Sequence, residues 1–295
     1  MRLVKPPAHP PLPRDEYTSI PQTIYLTYRA AHLVPEKVIE RLKTLNPGFH
    51  VEVYGDIECL KYLQQYWSPD HVAFFKSIPH GPIRADFWRA CIMYTHGGYY
   101  LDVDALPLVP FSRFVLPDID VCTSGSFRTG EKSSSSTPVR QLNPMFIAAR
   151  PRTRMMARAA GHMIVASRYG YSYWGTSLTF SLLRSIDDEM NMKIPSNTEG
   201  MYTSTEGEVL QLLTEHANTA SETFEEHLDS LVTMWGDTVV IKNHDGDSYD
   251  STQHRFWSKL HKKPDTLTMK GSSTQPSTTL AASSKSEAVI GAHHA

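Results

Sequence analysis

"HGGYYLDVDALPL", residues 96–108, decides how the rest of the chain is read. An apolar run follows a glycine pair and ends in two aspartates on alternate positions. Side chains two apart in a strand leave on one face, so Asp102 and Asp104 are expected to point together where the strand runs out. Two carboxylates about 6–7 Å apart repel unless they share a cation. Hard oxygen donors favour Mg²⁺, Mn²⁺ or Ca²⁺ over zinc. The carboxyl end of a parallel strand is also where open α/β sheets bind ligands. The plain alternative is a solvated strand end. A DxD triplet alone is a weak signal, and Asp118/Asp120 and Asp245/Asp247 form two more.

Context separates the three. A helix over 82–96 is expected, with Ile83, Phe87, Cys91 and Tyr94 on its core face. Gly97-Gly98 stops it, and 99–104 reads as the strand. Asp86 and Arg89 share a flank of that helix, with Arg84 ahead of them. In an arbitrary helix this would be an exposed i,i+3 ion pair. Here the helix runs straight into the acidic strand, so its polar flank lies beside the carboxylates.

Working outward, "PQTIYLTY" (21–28) is rich in β-branched and aromatic residues and reads as a strand. "VPEKVIERLKTLNPG" follows as a helix from Pro35 to Asn46-Pro47-Gly48, with Val38, Ile39, Leu42 and Leu45 on one face. "FHVEVYG" (49–55) completes a β-α-β unit, and a second helix covers 57–66. Further strands are expected at 118–124, 144–151 and near 237–241. Helices are expected near 152–167, 176–186 and 206–216. This alternation predicts an α/β fold with a mostly parallel sheet. Residues 1–19 read as a proline-rich arm, 20–263 as the folded domain, and 264–295 as a Ser/Thr-rich tail expected to be disordered.

Composition excludes several functions. The 295 residues carry 29 Lys+Arg against 31 Asp+Glu, so no global field attracts nucleic acid or anionic membranes. Cys59, Cys91 and Cys122 sit in apolar settings, with no CxxC, and read as buried thiols. The prolines of the N-terminal arm stand where a signal peptide needs an apolar stretch. No window reaches the ~18 apolar residues of a membrane span. The chain therefore reads as soluble, either cytoplasmic or, behind an upstream anchor, lumenal. No HExxH supports zinc protease chemistry.

"IRADFWRACIMYTHGGYYLDVDALPL" (83–108) resembles the signature of glycosyltransferase family 32. That family includes fungal α-mannosyltransferases and relatives of α-galactosyltransferases, and it is related to the clostridial glucosylating toxins. The pattern R-x-D-x-x-R, an apolar helix, then G-G-x-Y-x-D-x-D is present at Arg84, Asp86, Arg89, Gly97, Gly98, Tyr100, Asp102 and Asp104. "IPQTIYLTY" (20–28) resembles the family's opening strand, with Tyr28 where a Trp is usual. "NPMFIAARPRTRMM" (143–156) resembles the segment whose Asn faces the donor sugar. "GTSLTF" (175–180) resembles a Gly-Pro motif, with Thr176 in place of the Pro. "HDGDSYD" (244–250) resembles the closing His-x-x-x-Ser-Trp element, with Tyr249 in place of Trp.

The resemblance implies a GT-A fold, Rossmann-like with helices flanking the sheet. It also implies retaining transfer of a hexose from a UDP- or GDP-sugar to a glycan, glycolipid or glycoprotein. Mn²⁺ or Mg²⁺ would be held by Asp102, Asp104 and His244, with Asp245 or Asp247 as alternatives to the histidine. Asp86, Arg89 and Asp102 would be catalytic. Tyr25 would stack on the nucleobase, with Leu26 and Thr27 beside it. Arg84, Val103, Asn143, Ser248 and Tyr249 would complete the donor site.

Two other readings compete. "YYLDVDALP" superficially resembles the opening motif of haloacid-dehalogenase-type phosphatases, with Asp102 as phosphoryl acceptor. That fold places its aspartate strand near the start of the domain, whereas about 80 residues precede it here. A non-catalytic glycan-binding domain of the same fold has no need to keep Asp86, Arg89, Asp102 and Asp104 together. Trp88 and Trp174 could stack on a sugar, although buried aromatics are commoner than platforms.

Overall fold

The computed structural model describes residues 19–126, 140–169, 177–195, 197–217 and 231–243. The chain opens with β1 (Thr23–Thr27), α1 (Glu36–Leu45) and β2 (His50–Tyr54), and β1 pairs β2 in parallel. α1 stops where Asn46 turns its amide onto the Leu42 carbonyl, and Gly48 takes a positive φ of 91° to reverse the chain. α2 (Asp56–Tyr66) starts at Gly55, whose N–H donates to the Glu58 carboxylate. α3 (Pro69–Ser77), with proline in its first turn, is a helix that the apolar pattern of the sequence does not announce.

α4 (Gly81–His96) and β3 (Gly98–Leu101) follow as expected. The glycine pair between them is required twice over. Gly97 and Gly98 have φ of 64° and 101°. A Cβ on Gly97 would lie 2.6 Å from the Ala149 carbonyl oxygen, and one on Gly98 would lie 2.7 Å from that of Thr23.

The sheet order is β2-β1-β3-β6-β5-β8-β9-β10-β4, with β7 against β8. β1 joins β2 and β3 in parallel, as does β5 (Val121–Gly125) with β8 (Val209–Ala217). β6 (Leu142–Ala149) runs antiparallel to both β3 and β5. β7 (Gly200–Thr203), β9 (Leu231–Trp235), β10 (Thr238–Lys242) and β4 (Leu106–Pro107) are also antiparallel to their neighbours. The fold is α/β with helices on the sheet faces, but it carries more antiparallel pairing than strand–helix alternation implies.

The expected helix over 206–216 is instead β8. Its apolar run, Val209 to Leu213, has helical spacing only by coincidence. Leu210, Gln211, Leu212 and Leu213 are all buried, as in a central strand covered on both faces. Gln211 belongs inside because its amide donates to the Phe114 carbonyl and accepts from the Leu116 N–H.

α4, α5 (Arg154–Arg168) and α6 (Leu178–Met190) cover one face, and α1 with Phe111 and Phe114 covers the other. Thr153 does not cap α5. The Glu208 carboxylate does so, accepting the Arg154 and Met155 N–H groups at 2.6 and 3.3 Å. No described helix is long and apolar enough to cross a membrane. The N-terminal arm and residues 264–295 lie outside the described residues.

A pH dependence follows from α3. His71 is buried between Trp67 and Phe87, with its Nδ1 hydrogen-bonded to Ser68 Oγ at 2.7 Å. Burial pulls its pKa down to about 4, against the opposing pull of Asp70. The unfolded chain binds the proton more tightly, so this site destabilises the fold as pH falls from about 6.5 to 4, by at most about 3 kcal/mol. Denaturant titrations at pH 7 and 4.5 should show the loss, and His71→Gln, which cannot charge, should flatten it. Equal slopes in both proteins would exclude His71 as the source.

Candidate active site

α4 and β3 meet at the glycine pair and bring Asp86, Arg89, Tyr100 and Asp102 together. The pair is buried, not an exposed i,i+3 bridge: Asp86 is 8% and Arg89 5% exposed. Arg89 Nη2 lies 3.0 Å from Asp86 Oδ1 and 3.1 Å from Asp102 Oδ1. Its Nη1 donates to the Pro144 carbonyl at 2.6 Å, and the guanidinium sits 4.3 Å from the Tyr100 ring centroid. The Tyr100 hydroxyl donates to Asp102 Oδ1 at 2.7 Å and is hydrogen-bonded to Thr27 Oγ1 at 2.8 Å. Asp86 Oδ2 accepts the N–H of Leu178, the first residue of α6, at 3.0 Å.

The Pro144 carbonyl is free for Arg89 because β6 bulges. The β5–β6 register jumps from Thr123↔Ile147 to Ser124↔Asn143, leaving residues 144–146 out of that ladder. Proline, with no N–H to donate, suits such a place. Thr123 and Ser124 hydroxyls donate to the carbonyls of Phe146 and Asn143 at 3.1 Å each, so the bulge leaves these acceptors satisfied. Met145 O still takes the Asp102 N–H at 2.8 Å, anchoring the first aspartate.

One cation serves several carboxylates here. Burial raises the Asp86 pKa, while Arg89 and the Leu178 N–H hold it back. Asp102 is pushed up to about 6 by burial and by Asp104 and Asp86, against Arg89 and the Tyr100 hydrogen bond. Burial acts against the charged Arg89, but Asp102, Tyr100, Asp86 and Asp104 outweigh it and hold the guanidinium above its ordinary range. A buried carboxyl beside a second acidic group favours additional positive charge.

The acidic triplet itself departs from expectation. β3 ends at Leu101, and Asp102 to Asp104 form a turn closed by the Ala105 N–H on the Asp102 carbonyl at 3.0 Å. Burial still alternates, with Val103 and Ala105 inside and Asp102 and Asp104 half-exposed, so both carboxylates stay on the open side. The donor set fits a hard divalent cation: two half-exposed carboxylates in one turn. Arg89 and Tyr100 both engage Asp102 Oδ1. Among the described residues no group of three or more His, Cys, Asp or Glu converges on a metal position.

The remaining expected residues divide. Thr27 joins through Tyr100. Asn143 joins through the bulge, its Oδ1 accepting the Met145 N–H at 3.2 Å. Tyr25 is buried, edge-on to Trp88 with ring centroids 6.4 Å apart, so its ring is engaged in packing. The side chains of Leu26 and Val103 are buried in the core on the α1 side, which leaves only their backbones for a ligand. Arg84 pairs with Asp56 at the start of α2, at 2.9 Å. Trp88 and Cys91 are fully buried packing residues, and Asp120 is buried, accepting the Val209 N–H. His244, Asp245, Asp247, Ser248 and Tyr249 lie outside the described residues, as do Trp174 and Thr176.

The sequence reading missed Glu215. Only 2% exposed, it accepts the amide N–H groups of Asn143, at 2.6 Å, and of Asn243. Asn243 in turn accepts from Thr233 at 2.8 Å, and Asn197 braces the Glu215 backbone from both sides. The available signal was a lone carboxylate inside "VLQLLTEHA", hidden once that run was read as a surface helix.

The family described as "Glycosyltransferase sugar-binding region containing DXD motif" matches residues 35–121. The initiation-specific alpha-1,6-mannosyltransferase of Candida albicans is 27% identical over 35% of this chain and 29% of its own length. The putative glycosyltransferase HOC1 of Saccharomyces cerevisiae is 28% identical over 35% of this chain and 27% of its length. The match thus spans less than a third of each relative. The solved structure of the PaToxG glycosyltransferase is similar with a TM-score of 0.46 and 11% identity, over 59% of this chain and 72% of that one. Residues 35–121 are thus similar to glycosyltransferase sugar-binding regions that contain a DXD motif.

Proposed function

We propose that the protein is a GT-A-type glycosyltransferase that moves a hexose from a nucleotide diphosphate sugar to a glycan, glycolipid or glycoprotein, with retention at the anomeric carbon. The observation that carries this reading is the buried Asp86–Arg89–Asp102 chain opening onto a half-exposed acidic turn, inside the matched family region.

Mn²⁺, or less effectively Mg²⁺, would neutralise charge growing on the diphosphate leaving group, worth several kcal/mol at the transition state. Asp104 would hold it directly, Asp102 would share it, and His244 would supply the third protein ligand. Supporting the last assignment, Lys242 on β10 pairs with Leu106 on β4, two residues beyond Asp104, which brings the end of β10 beside the acidic turn. Ser248 and Tyr249 follow on that segment and contact the diphosphate. Asp86 accepts hydrogen bonds from the sugar hydroxyls. Arg89 fixes both carboxylates and adds positive charge beside the departing diphosphate.

Retention proceeds on one face. The bond from the anomeric carbon to the β-phosphate oxygen breaks, the acceptor oxygen attacks from the same side, and its proton passes to the leaving phosphate. This route needs no carboxylate nucleophile. Glu215, which tethers two asparagine amides, is not disposed to act as one.

The test is a panel of UDP- and GDP-sugars assayed for Mn²⁺-dependent hydrolysis, which needs no acceptor. The relatives' names put mannose donors first. Turnover of at least one donor, abolished by EDTA, is expected. Absence of turnover across the panel, or equal turnover in EDTA, would overturn the reading.

A further inference from the structure

We propose that Glu215 is a positioning residue for the donor sugar, acting by fixing the side-chain amide of Asn143; this rests on the transferase reading. Glu215 stands on β8, an element separate from the acidic turn. Its carboxylate can only accept, so it dictates which end of the Asn143 amide faces it: Nδ2 donates at 2.6 Å. The Oδ1 end is then pinned by the Met145 N–H at 3.2 Å. Both ends of the amide are fixed, and Asn143 is half-buried rather than enclosed. An amide has two N–H donors and two acceptor lone pairs. Glu215 and Met145 use one of each, so the same group presents a donor and an acceptor in a set orientation, the complement of a sugar hydroxyl.

The place of Asn143 in the chain makes that orientation matter. Three consecutive residues of the β6 bulge each hold a different part of the site. Asn143 binds Glu215, the Pro144 carbonyl binds Arg89, and the Met145 carbonyl binds the Asp102 N–H. The amide is thus one and two residues from the groups that set the buried guanidinium and the first aspartate. Glu215 also takes the Asn243 amide, at the end of the strand that precedes His244. A neutral side chain at 215 would lose this enforced polarity, because its own N–H₂ can face an asparagine N–H₂ and let either amide turn.

The experiment is Glu215→Gln, in protein whose donor turnover has been measured. We expect kcat/KM for donor hydrolysis to fall about 10- to 100-fold, the usual cost of losing an orienting partner, mainly through KM. Mn²⁺ affinity should stay within about twofold, since Glu215 is not one of the residues proposed to hold the ion. A second variant, Asn143→Asp with Glu215→Gln, restores donor–acceptor matching with the charge moved. It should recover thermal stability but not kcat/KM, because the amide presented to the sugar is gone. Recovery of both, or a Glu215→Gln enzyme with unchanged donor KM, would make the contact purely structural and overturn the proposal. Wild-type protein that turns over no donor would overturn the transferase reading, and this one with it.

Discussion

Arg89→Met is expected to cost about 3–5 kcal/mol of folding free energy, the largest single-residue effect anticipated in the site. The guanidinium lies between Asp86 and Asp102, and it also satisfies the Pro144 carbonyl. Its removal takes a donor from the buried Asp86, from half-exposed Asp102 and from the bulge carbonyl. An unpaired buried carboxylate costs far more than the net worth of the pair it came from. Arg89→Lys keeps the charge but not the fork, because an ammonium cannot span two carboxylates and a carbonyl in the same plane. It should recover part of the stability and little turnover. Urea denaturation followed by far-UV circular dichroism measures both. A loss below 1 kcal/mol for Arg89→Met would mean that water reaches the trio, contrary to the burial of Arg89.

Asp104→Asn should lower Mn²⁺-dependent turnover about 10³-fold while the fold melts within a few degrees of the parent. The half-exposed carboxylate contributes little to packing; on the proposed role, the charge it would hold for the ion is worth about 4 kcal/mol at the transition state. Calorimetry with Mn²⁺ and nucleotide should show weakened metal binding. Asp86→Asn should instead lose about 10²-fold in turnover with Mn²⁺ affinity nearly unchanged, as the proposed contact of Asp86 with the sugar requires. His244→Ala should weaken Mn²⁺ only when nucleotide is present. Equal losses of metal affinity in Asp86→Asn and Asp104→Asn would reassign Asp86 as a ligand. Full turnover in His244→Ala with loss in Asp247→Ala would move the third ligand to the aspartate.

Much of this site is local and therefore legible. Asp86 and Arg89 are one helical turn apart, and Asp102 follows the glycine pair that ends the same helix. A segment of some twenty residues can bring these groups together with no knowledge of the rest of the fold. The Tyr100 contacts, the Leu178 N–H on Asp86 and the Pro144 carbonyl on Arg89 were not readable, because each partner but Asp102 comes from a distant element. The strand reading of 99–104 erred by one turn: Asp102 keeps a ladder bond to Met145, and the chain then bends. Glu215 was lost with its strand, since a run such as "VLQLL" fits one face of a helix and a doubly covered strand equally well. Only its neighbours decide between them.

The sequence by itself determined the β-α-β opening, the helix that carries Asp86 and Arg89, the glycine stop and the acidic pair. These follow from hydrophobic period, proline and glycine geometry, and spacing within a few residues, all properties of the chain against its own backbone. The tertiary structure alone decided that β6 enters antiparallel between β3 and β5 and bulges at Pro144. It also decided that the ion pair is buried and that a carboxylate from β8 reaches the bulge. Those outcomes depend on which strand edges meet and how much water they exclude, and pairing between segments far apart in the chain leaves no periodic trace in the order of amino acids.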